Sequence, residues 1–346
     1  MRIGLTTMPR VMAAICGTLV LAGAGSAAAQ TPAEFYAGKT LDMIIGYPPG
    51  GSNDLFARVV AQHLGKHIPG QPKIVPKNMP GAGSLLAANH IYNVAAKDGS
   101  ALGAVSQGMP LQAKLNPASV KFDPSKFNWI GRVAPSSNVT MVWHTSKAMS
   151  FDDALKNEVV LGATGAGSTV ALYPLVMNEI LKTKFKLIMG YKGSADAMLA
   201  MQRGEVEGHS TTWEAVKAVH RDWIQEKKVR FLVQHGLTRN PEIPDVPTSV
   251  ELTKDPDDKA VMRVIMSAAE IGKSYFTAPG VPQDRVEALR RAFDAMVKDP
   301  DFIASLAKLG GEVDALKGED LQKLVQELDE VPPPLLARVG EIYKEQ

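Results

Sequence analysis

The chain holds a single cysteine, Cys16, among its 346 residues. An internal disulfide is therefore excluded, and whatever fold forms must be held by its apolar core. An excess of one charge is missing as well: 38 Lys and Arg stand against 36 Asp and Glu. No basic stripe with interleaved aromatics occurs, and aromatics are only 6% of the chain, which argues against a nucleic-acid partner. Beyond residue 29 no stretch approaches the roughly 20 apolar residues that a membrane-spanning helix needs. Internal repeats and low-complexity tracts are absent too.

What is present begins with a leader. Arg2 and Arg10 form a basic start, Val11 to Gly25 is apolar, and Ala27-Ala28-Ala29 offers an A-x-A site before Gln30. That is the pattern of a secretory signal peptide, residues 1–29, cleaved after Ala29. Cys16 does not make it a lipoprotein leader, because Ile15 precedes it and the apolar run continues past it. The leader takes two basic residues and no acid with it, so the remainder balances 36 of each sign. The expected location is the periplasm.

Two loops carry the functional signal: Tyr47-Pro48-Pro49-Gly50-Gly51-Ser52-Asn53-Asp54 and Gly162-Ala163-Thr164-Gly165-Ala166-Gly167-Ser168. Each follows an apolar strand-like run and opens a helical pattern. A helix start presents unpaired N–H groups and roughly half a positive charge, which makes it an anion site. Neither loop contains a lysine or arginine, so the backbone itself would do the binding. Two such loops more than a hundred residues apart imply two lobes closing on one small anion.

The surrounding pattern alternates strand and helix. Leu41 to Tyr47, Lys73 to Pro76 and Ala101 to Ser106 read as strands, separated by helices from Ser52 to Ile68 and from Ser84 to about Lys97. Further strands are expected at Thr140–His144, Val159–Thr164, Lys186–Tyr191, Val206–Thr211 and Arg230–His235. Helices are expected at Ser168–Leu181, from Ser194 to Arg203, and at Glu214–Lys227. Thr238 to Thr248, with Pro241, Pro244 and Pro247, reads as a linker. The C-terminal third is mainly helical, with apolar faces around Leu289, Leu306, Leu324 and Leu335. This predicts an α/β fold in which parallel strands are joined by right-handed crossovers. Ligands of such sheets bind beyond the carboxyl ends of strands. There the chain places 47–54, 78–84, 164–168 and 191–194.

Read in order, several stretches resemble the Bug (TctC-like) family, the periplasmic solute-binding proteins of tripartite tricarboxylate transporters. They are Pro48-Pro49-Gly50-Gly51-Ser52-Asn53-Asp54, Asn78-Met79-Pro80-Gly81-Ala82-Gly83, Ala96-Lys97-Asp98-Gly99, Phe122-Asp123-Pro124 and Tyr191-Lys192-Gly193-Ser194. Ala278-Pro279-Gly280-Val281-Pro282 and Leu309-Gly310-Gly311 continue the series. The resemblance implies a two-lobed Venus-flytrap fold, each lobe a mostly parallel sheet flanked by helices. Lobe one would comprise 31–130 plus 245–346, and the inserted lobe two 131–244. It implies capture of a small carboxylate (a di- or tricarboxylate, amino acid or aromatic acid) and delivery to the membrane subunits of a transporter. A sensory receptor presenting its ligand state to a membrane kinase is the alternative.

Carried onto this chain, the resemblance nominates Gly50, Gly51, Ser52, Asn53 and Asp54 with Thr164, Gly165, Ala166, Gly167 and Ser168. The strand-end reading adds Tyr47, Gly83, Ser84, Ser106, Tyr191, Thr211 and Trp213. Asp54 is expected to serve its own helical turn, since its charge repels a carboxylate. Ser52 or Asn53 is the better donor, and either is also a possible N-cap. Trp213 either stacks on the ligand or fills the cleft wall. Departures from the family pattern fall at Ser52-Asn53, where it has Gly-Thr, at Asp196, where it commonly has proline, and in the unmatched His209-Ser210-Thr211-Thr212-Trp213.

Competing chemistries are weaker. Gly165-Ala166-Gly167-Ser168-Thr169-Val170 fails the dinucleotide spacing at its last place, as does Gly81-Ala82-Gly83-Ser84-Leu85-Leu86. Ala104-Val105-Ser106-Gln107-Gly108 imitates the nucleophile elbow of a secreted α/β hydrolase, the remoter alternative, but alanine stands first and Met109-Pro110 is expected to delay the helix. His63 and His67 share a helix face without a metalloprotease motif. The expectation is a monomeric binding protein with no cofactor, no metal and no catalytic residue.

Overall fold

The computed structural model describes Met1 and residues 30–344, apart from 116, 118, 119, 166 and 167. The expected leader, and Ala166 and Gly167 of the second loop, lie outside the described residues. Thr31 to the C-terminus forms one compact unit. Among the described residues no helix is long and apolar enough to cross a membrane.

In chain order the strands are β1 (Thr40–Ile45), β2 (Lys73–Asn78), β3 (Ala101–Ala104), β4 (Asn128–Arg132), β5 (Asn138–Trp143), β6 (Val159–Gly162), β7 (Phe185–Ile188), β8 (Gly208–Thr212), β9 (Val229–His235), β10 (Ser274–Thr277) and β11 (Leu316–Lys317). They form two sheets, ordered β11-β4-β10-β3-β1-β2 and β7-β6-β8-β5-β9. Strand β1 shows how the sequence builds the first. Leu41, Met43 and Ile45 pack into one cluster with Phe56, Val60 and Phe293. Ile44 points the other way, onto Ile91, Trp129 and Phe276. Alternate side chains thus bury both faces under helices, as a central parallel strand requires.

The sheets are mixed rather than mostly parallel. Parallel pairing holds for β1 with β2 and β3, and for β6 with β7 and β8. Strand β10 runs antiparallel to β3 and β4, and β5 antiparallel to β8 and β9. The reason is connectivity: β5 enters the second sheet directly from the first, and β10 re-enters the first, neither through a crossover helix returning to its own sheet.

Several elements lie outside the sequence expectation. Strands β4 and β10 and the helices Met109–Leu115 and Pro256–Ile271 were not anticipated. The expected Glu214–Lys227 helix is two helices, Trp213–Val219 and Arg221–Gln225, broken at His220. The start at Met109 also corrects the proline argument at Ser106, because Pro110 sits in the first turn, where its missing N–H costs nothing. The long helix Pro256–Ile271 and the C-terminal helix Pro333–Lys344 send Val261, Ile265, Met266 and Val339 into the cluster of the second sheet.

Candidate functional site

The loops at the strand ends converge. A cavity of about 620 Å³ lies between the sheets, lined by Tyr47, Gly50, Gly51, Ser52, Asn53, Asp54, Gly83, Ser84 and Ser106 from one side. Thr164, Gly165, Ser168, Tyr191 and Thr211 line it from the other. The lining also holds residues that nothing in the sequence singled out, among them Asn138, Met198, Ala215 and Val219. The two sides touch: Ser52 Oγ and Thr212 Oγ1 are hydrogen-bonded at 3.1 Å. A Cβ added to Gly193 would stand 2.8 Å from Pro48 Cγ, so only glycine lets these loops meet.

Several helices start at the cavity, among them those beginning at Ser52, Thr169 and Ser194. In the helix Ser52–Leu64 the first bond back to the turn is Leu55 N–H to the Gly51 carbonyl, 3.0 Å. The N–H groups of Ser52, Asn53 and Asp54 have no hydrogen-bond partner among the described residues. The N-cap is Gly51, without a side-chain cap, so neither Ser52 nor Asn53 fills that role. In the helix Thr169–Leu181, Ser168 is the N-cap, and its Oγ accepts from Ala171 N–H at 3.4 Å. Thr169 and Val170 line the cavity from its first turn. The helix Ser194–Gln202 opens at Gly193, and Ser194, Ala195 and Asp196 line the cavity.

Asp54 organises the first loop rather than facing a ligand. It is 1% exposed and accepts from Gly50 N–H (2.9 Å), Arg58 Nε (2.9 Å) and Asn78 Nδ2 (2.7 Å). Asn78 also donates to the Tyr47 carbonyl (2.8 Å) and accepts from Arg58 Nη2 (2.6 Å). Gly50 sits at φ +92°, where an L side chain is strained, and Asp54 fixes it there. On the same side, Ser84 Oγ donates to the Gly46 carbonyl at 2.9 Å. Burial pushes the phenols of Tyr47 and Tyr173 above the usual tyrosine range, so both remain neutral.

The structure does not bring Trp213 to the cavity. Its ring lies edge-on to Phe231, 5.2 Å away, and its Nε1–H donates to Glu242 at 2.5 Å. Reading Trp213 as a strand end aimed it at the cleft. Because the helix starts there, its side chain follows the 100° helical step and not the strand alternation. Ser106 Oγ receives Gly108 N–H at 3.4 Å, and among the described residues no histidine or carboxylate is hydrogen-bonded to it. His63 pairs with Ser305 (3.1 Å) and His67 with Asp299 (2.9 Å). Among the described residues no group of three or more His, Cys, Asp or Glu is arranged to hold a metal ion.

Behind the wall, in the second sheet, two histidines are wholly buried. His209 Nδ1 lies 2.7 Å from the Gly162 carbonyl, and His235 Nε2 lies 2.7 Å from Thr140 Oγ1. Burial pushes them down to about 4 and about 3, while an unfolded histidine titrates near 6.5. Below that value the unfolded chain binds protons that the folded chain refuses, so stability falls as pH drops from about 6.5 towards 4 and is unaffected above it. The expected slope is about 1.4 kcal/mol per pH unit for each histidine, or about 4 kcal/mol for the pair at pH 5. Urea unfolding at pH 7.5, 6.5 and 5 reads this directly. A stability that stays flat down to pH 5 would contradict it.

Comparison with known proteins agrees with this architecture. The tripartite tricarboxylate transporter family receptor model matches residues 56–340. A UPF0065 protein in the gbd 5' region of Cupriavidus necator is 26% identical over 340 residues, 95% of this chain and 96% of the relative. BugT of Bordetella pertussis is 30% identical over 259 residues, 71% of this chain and 74% of BugT. The periplasmic binding protein BugD superposes with a TM-score of 0.70 at 22% identity, covering 90% of this chain and 98% of BugD. MatC from Rhodopseudomonas palustris with bound malate gives 0.66 at 22% identity, over 88% of this chain and 99% of MatC. An R. palustris protein with adipate gives 0.67 at 21% identity, over 89% of this chain and 97% of that one. Two mixed sheets with a cavity between them are thus the periplasmic-binding-protein fold, and the chain belongs to the tripartite tricarboxylate transporter receptor family, the Bug or TctC-like solute-binding proteins.

Proposed function

We propose that the protein captures a small carboxylate in this cavity in the periplasm, as a monomer, and hands it to the membrane subunits of a tripartite transporter without turning it over. One observation carries the reading: backbone N–H groups without a partner among the described residues, at the starts of the Ser52–Leu64, Thr169–Leu181 and Ser194–Gln202 helices, surround one cavity. Gly50, Gly51, Ser52 and Asn53 with Thr164, Gly165 and Ser168 would hold the carboxylate. A charge-assisted hydrogen bond contributes about 1.5–3 kcal/mol before desolvation and closure are subtracted. Micromolar affinity requires only about 8 kcal/mol net, which several such bonds supply without an arginine. Malate in MatC and adipate in the R. palustris protein support the carboxylate assignment. The lobes are assigned to 31–130 plus 245–346 and to 131–244, with the helices Pro256–Ile271 and Pro333–Lys344 reaching across onto the second.

A thermal-shift screen against carboxylates, with sugars and amines as controls, tests the ligand class. Ligand at about 100 times its Kd stabilises by about 2.7 kcal/mol. The anion loop is tested by Gly51→Asp. Nothing lies within 4 Å of a Cβ at Gly51, and an aspartate at an N-cap supports its helix. The variant is therefore expected to fold as well as the wild type while binding at least a hundredfold more weakly by calorimetry. Normal binding by Gly51→Asp would refute the loop mechanism.

A further inference from the structure

The cavity has room for much more than a carboxylate, and the lining decides what the rest of the ligand is. Its volume of about 620 Å³ falls mid-range among the roughly 300–1,000 Å³ pockets that enclose drug-sized ligands. Beyond the helix starts the wall is apolar, with Pro80, Val170, Met198, Ala215 and Val219. The inner polar groups are uncharged: Ser106, Gln107 and Asn138 are 6%, 2% and 5% exposed, and Gln107, whose Oε1 accepts from Ser136 Oγ at 2.9 Å, keeps its Nε2 as a neutral donor without a partner among the described residues.

Positive charge is what the wall lacks. Among the described lining residues Lys192 is the only cation. It is exposed at the mouth, where water and salt weaken any ion pair. The cavity also holds two carboxylates of its own. That of Asp54 is bound by Gly50, Arg58 and Asn78, and Asp196, exposed like Lys192, sits in the first turn of the Ser194–Gln202 helix, where its own charge already meets the positive helix end. A second carboxylate reaching into the apolar part of the wall would leave water without a cation to meet it, and desolvating an unpaired charge is strongly unfavourable.

We propose that the ligand is a monocarboxylate with an apolar, ring-sized or larger body, rather than a di- or tricarboxylate. The assignment rests on the carboxylate reading above and narrows it. The single carboxylate sits at the Ser52 and Thr169 helix starts, and the body lies along Val170, Met198, Ala215 and Val219.

Matched pairs that differ only by the second carboxylate test this: hexanoate with adipate, benzoate with terephthalate, and 2-naphthoate with 2,6-naphthalenedicarboxylate. Each is titrated calorimetrically at pH 7.5 into protein freed of co-purified ligand by unfolding, dialysis and refolding. The monoacid is expected to bind at least tenfold more tightly than its diacid. Equal or tighter binding of the diacids overturns the inference and leaves the carboxylate reading standing. No binding by any of the six acids also overturns it, and the carboxylate reading falls with it only if the wider carboxylate screen is silent. Val219→Lys supplies the missing charge at a residue that is 48% exposed and lines the cavity. It ends the Trp213–Val219 helix, where a cation is favourable, so the fold tolerates it. The variant is expected to shift the ratio of diacid to monoacid affinity at least fivefold towards the diacid. An unchanged ratio would rule out the missing counter-charge as the cause.

Discussion

Asp54→Ala is expected to weaken ligand binding about a hundredfold or more, a loss of roughly 2.7 kcal/mol, although Asp54 touches no ligand in this mechanism. The buried carboxylate receives three donors from three places: the loop backbone at Gly50, the next helical turn at Arg58 and the end of β2 at Asn78. Without it Gly50 N–H loses its acceptor and nothing fixes the φ of +92°. The paired prolines and Gly51 can then leave the geometry that aims the Ser52 and Asn53 N–H groups at the cavity. The same change costs stability. Donors left unsatisfied in the protein cost about 1–3 kcal/mol each, but the Arg58 side chain is 40% exposed and rehydrates. A total of about 2–4 kcal/mol is therefore expected. Asp54→Asn keeps an oxygen for one donor and should fall between the two. Calorimetry with the best ligand of the screen, alongside urea unfolding, separates the effects. Asp54→Ala with wild-type affinity would show that the loop needs no anchor.

How far such a residue was legible depends on the distance its partners lie along the chain. Arg58 follows Asp54 by one turn, a spacing any helix presents, whereas Asn78 is 24 residues on and no pattern connects them. The same divide runs through the fold. Loops such as 47–54 and 164–168 were readable because a buried strand, a glycine turn and a 3.6-residue period each leave local marks. Strands β4 and β10 left none: Asn128–Arg132 and Ser274–Thr277 are short and buried on both faces, so they show no alternation. The helix Pro256–Ile271 does carry an Asp255 cap and Pro256 at its start. Those signals merge there with the preceding proline-rich segment. At the site, Trp213 was misdirected by one element boundary. Met198 and Val219 carry no chemical signal at all, since an apolar residue on a cavity wall looks like one in a core.

Lys273→Ala is expected to destabilise the protein by about 3–5 kcal/mol, the cost of leaving one partner of a buried ion pair alone. Lys273 Nζ lies 3.3 Å from Glu214 Oε2, with the two side chains 2% and 13% exposed, and 4.9 Å from the centre of the Phe56 ring. The pair joins the two halves of the molecule. Lys273 immediately precedes β10 of the first sheet, while Glu214 lies in the helix that follows β8 of the second. That helix is capped by Thr212, whose hydroxyl also bonds Ser52 across the cavity. The two contacts therefore fix the same seam, one polar and open to the ligand, the other buried behind it. If charge pairing is what matters, each single removal should be severe and the joint removal mild. Replacing both residues, as Lys273→Met with Glu214→Leu, should restore most of the stability, because apolar groups of similar size often substitute for a buried pair at little cost. A double-mutant cycle in urea unfolding measures the coupling. Additive losses, or a Lys273→Ala loss below about 1 kcal/mol, the range of exposed pairs, would mean that packing on Phe56 and not the ion pair holds this seam. With the seam intact in the double variant, carboxylate binding should return close to wild type, since neither side chain belongs to the cavity lining through which the ligand is held.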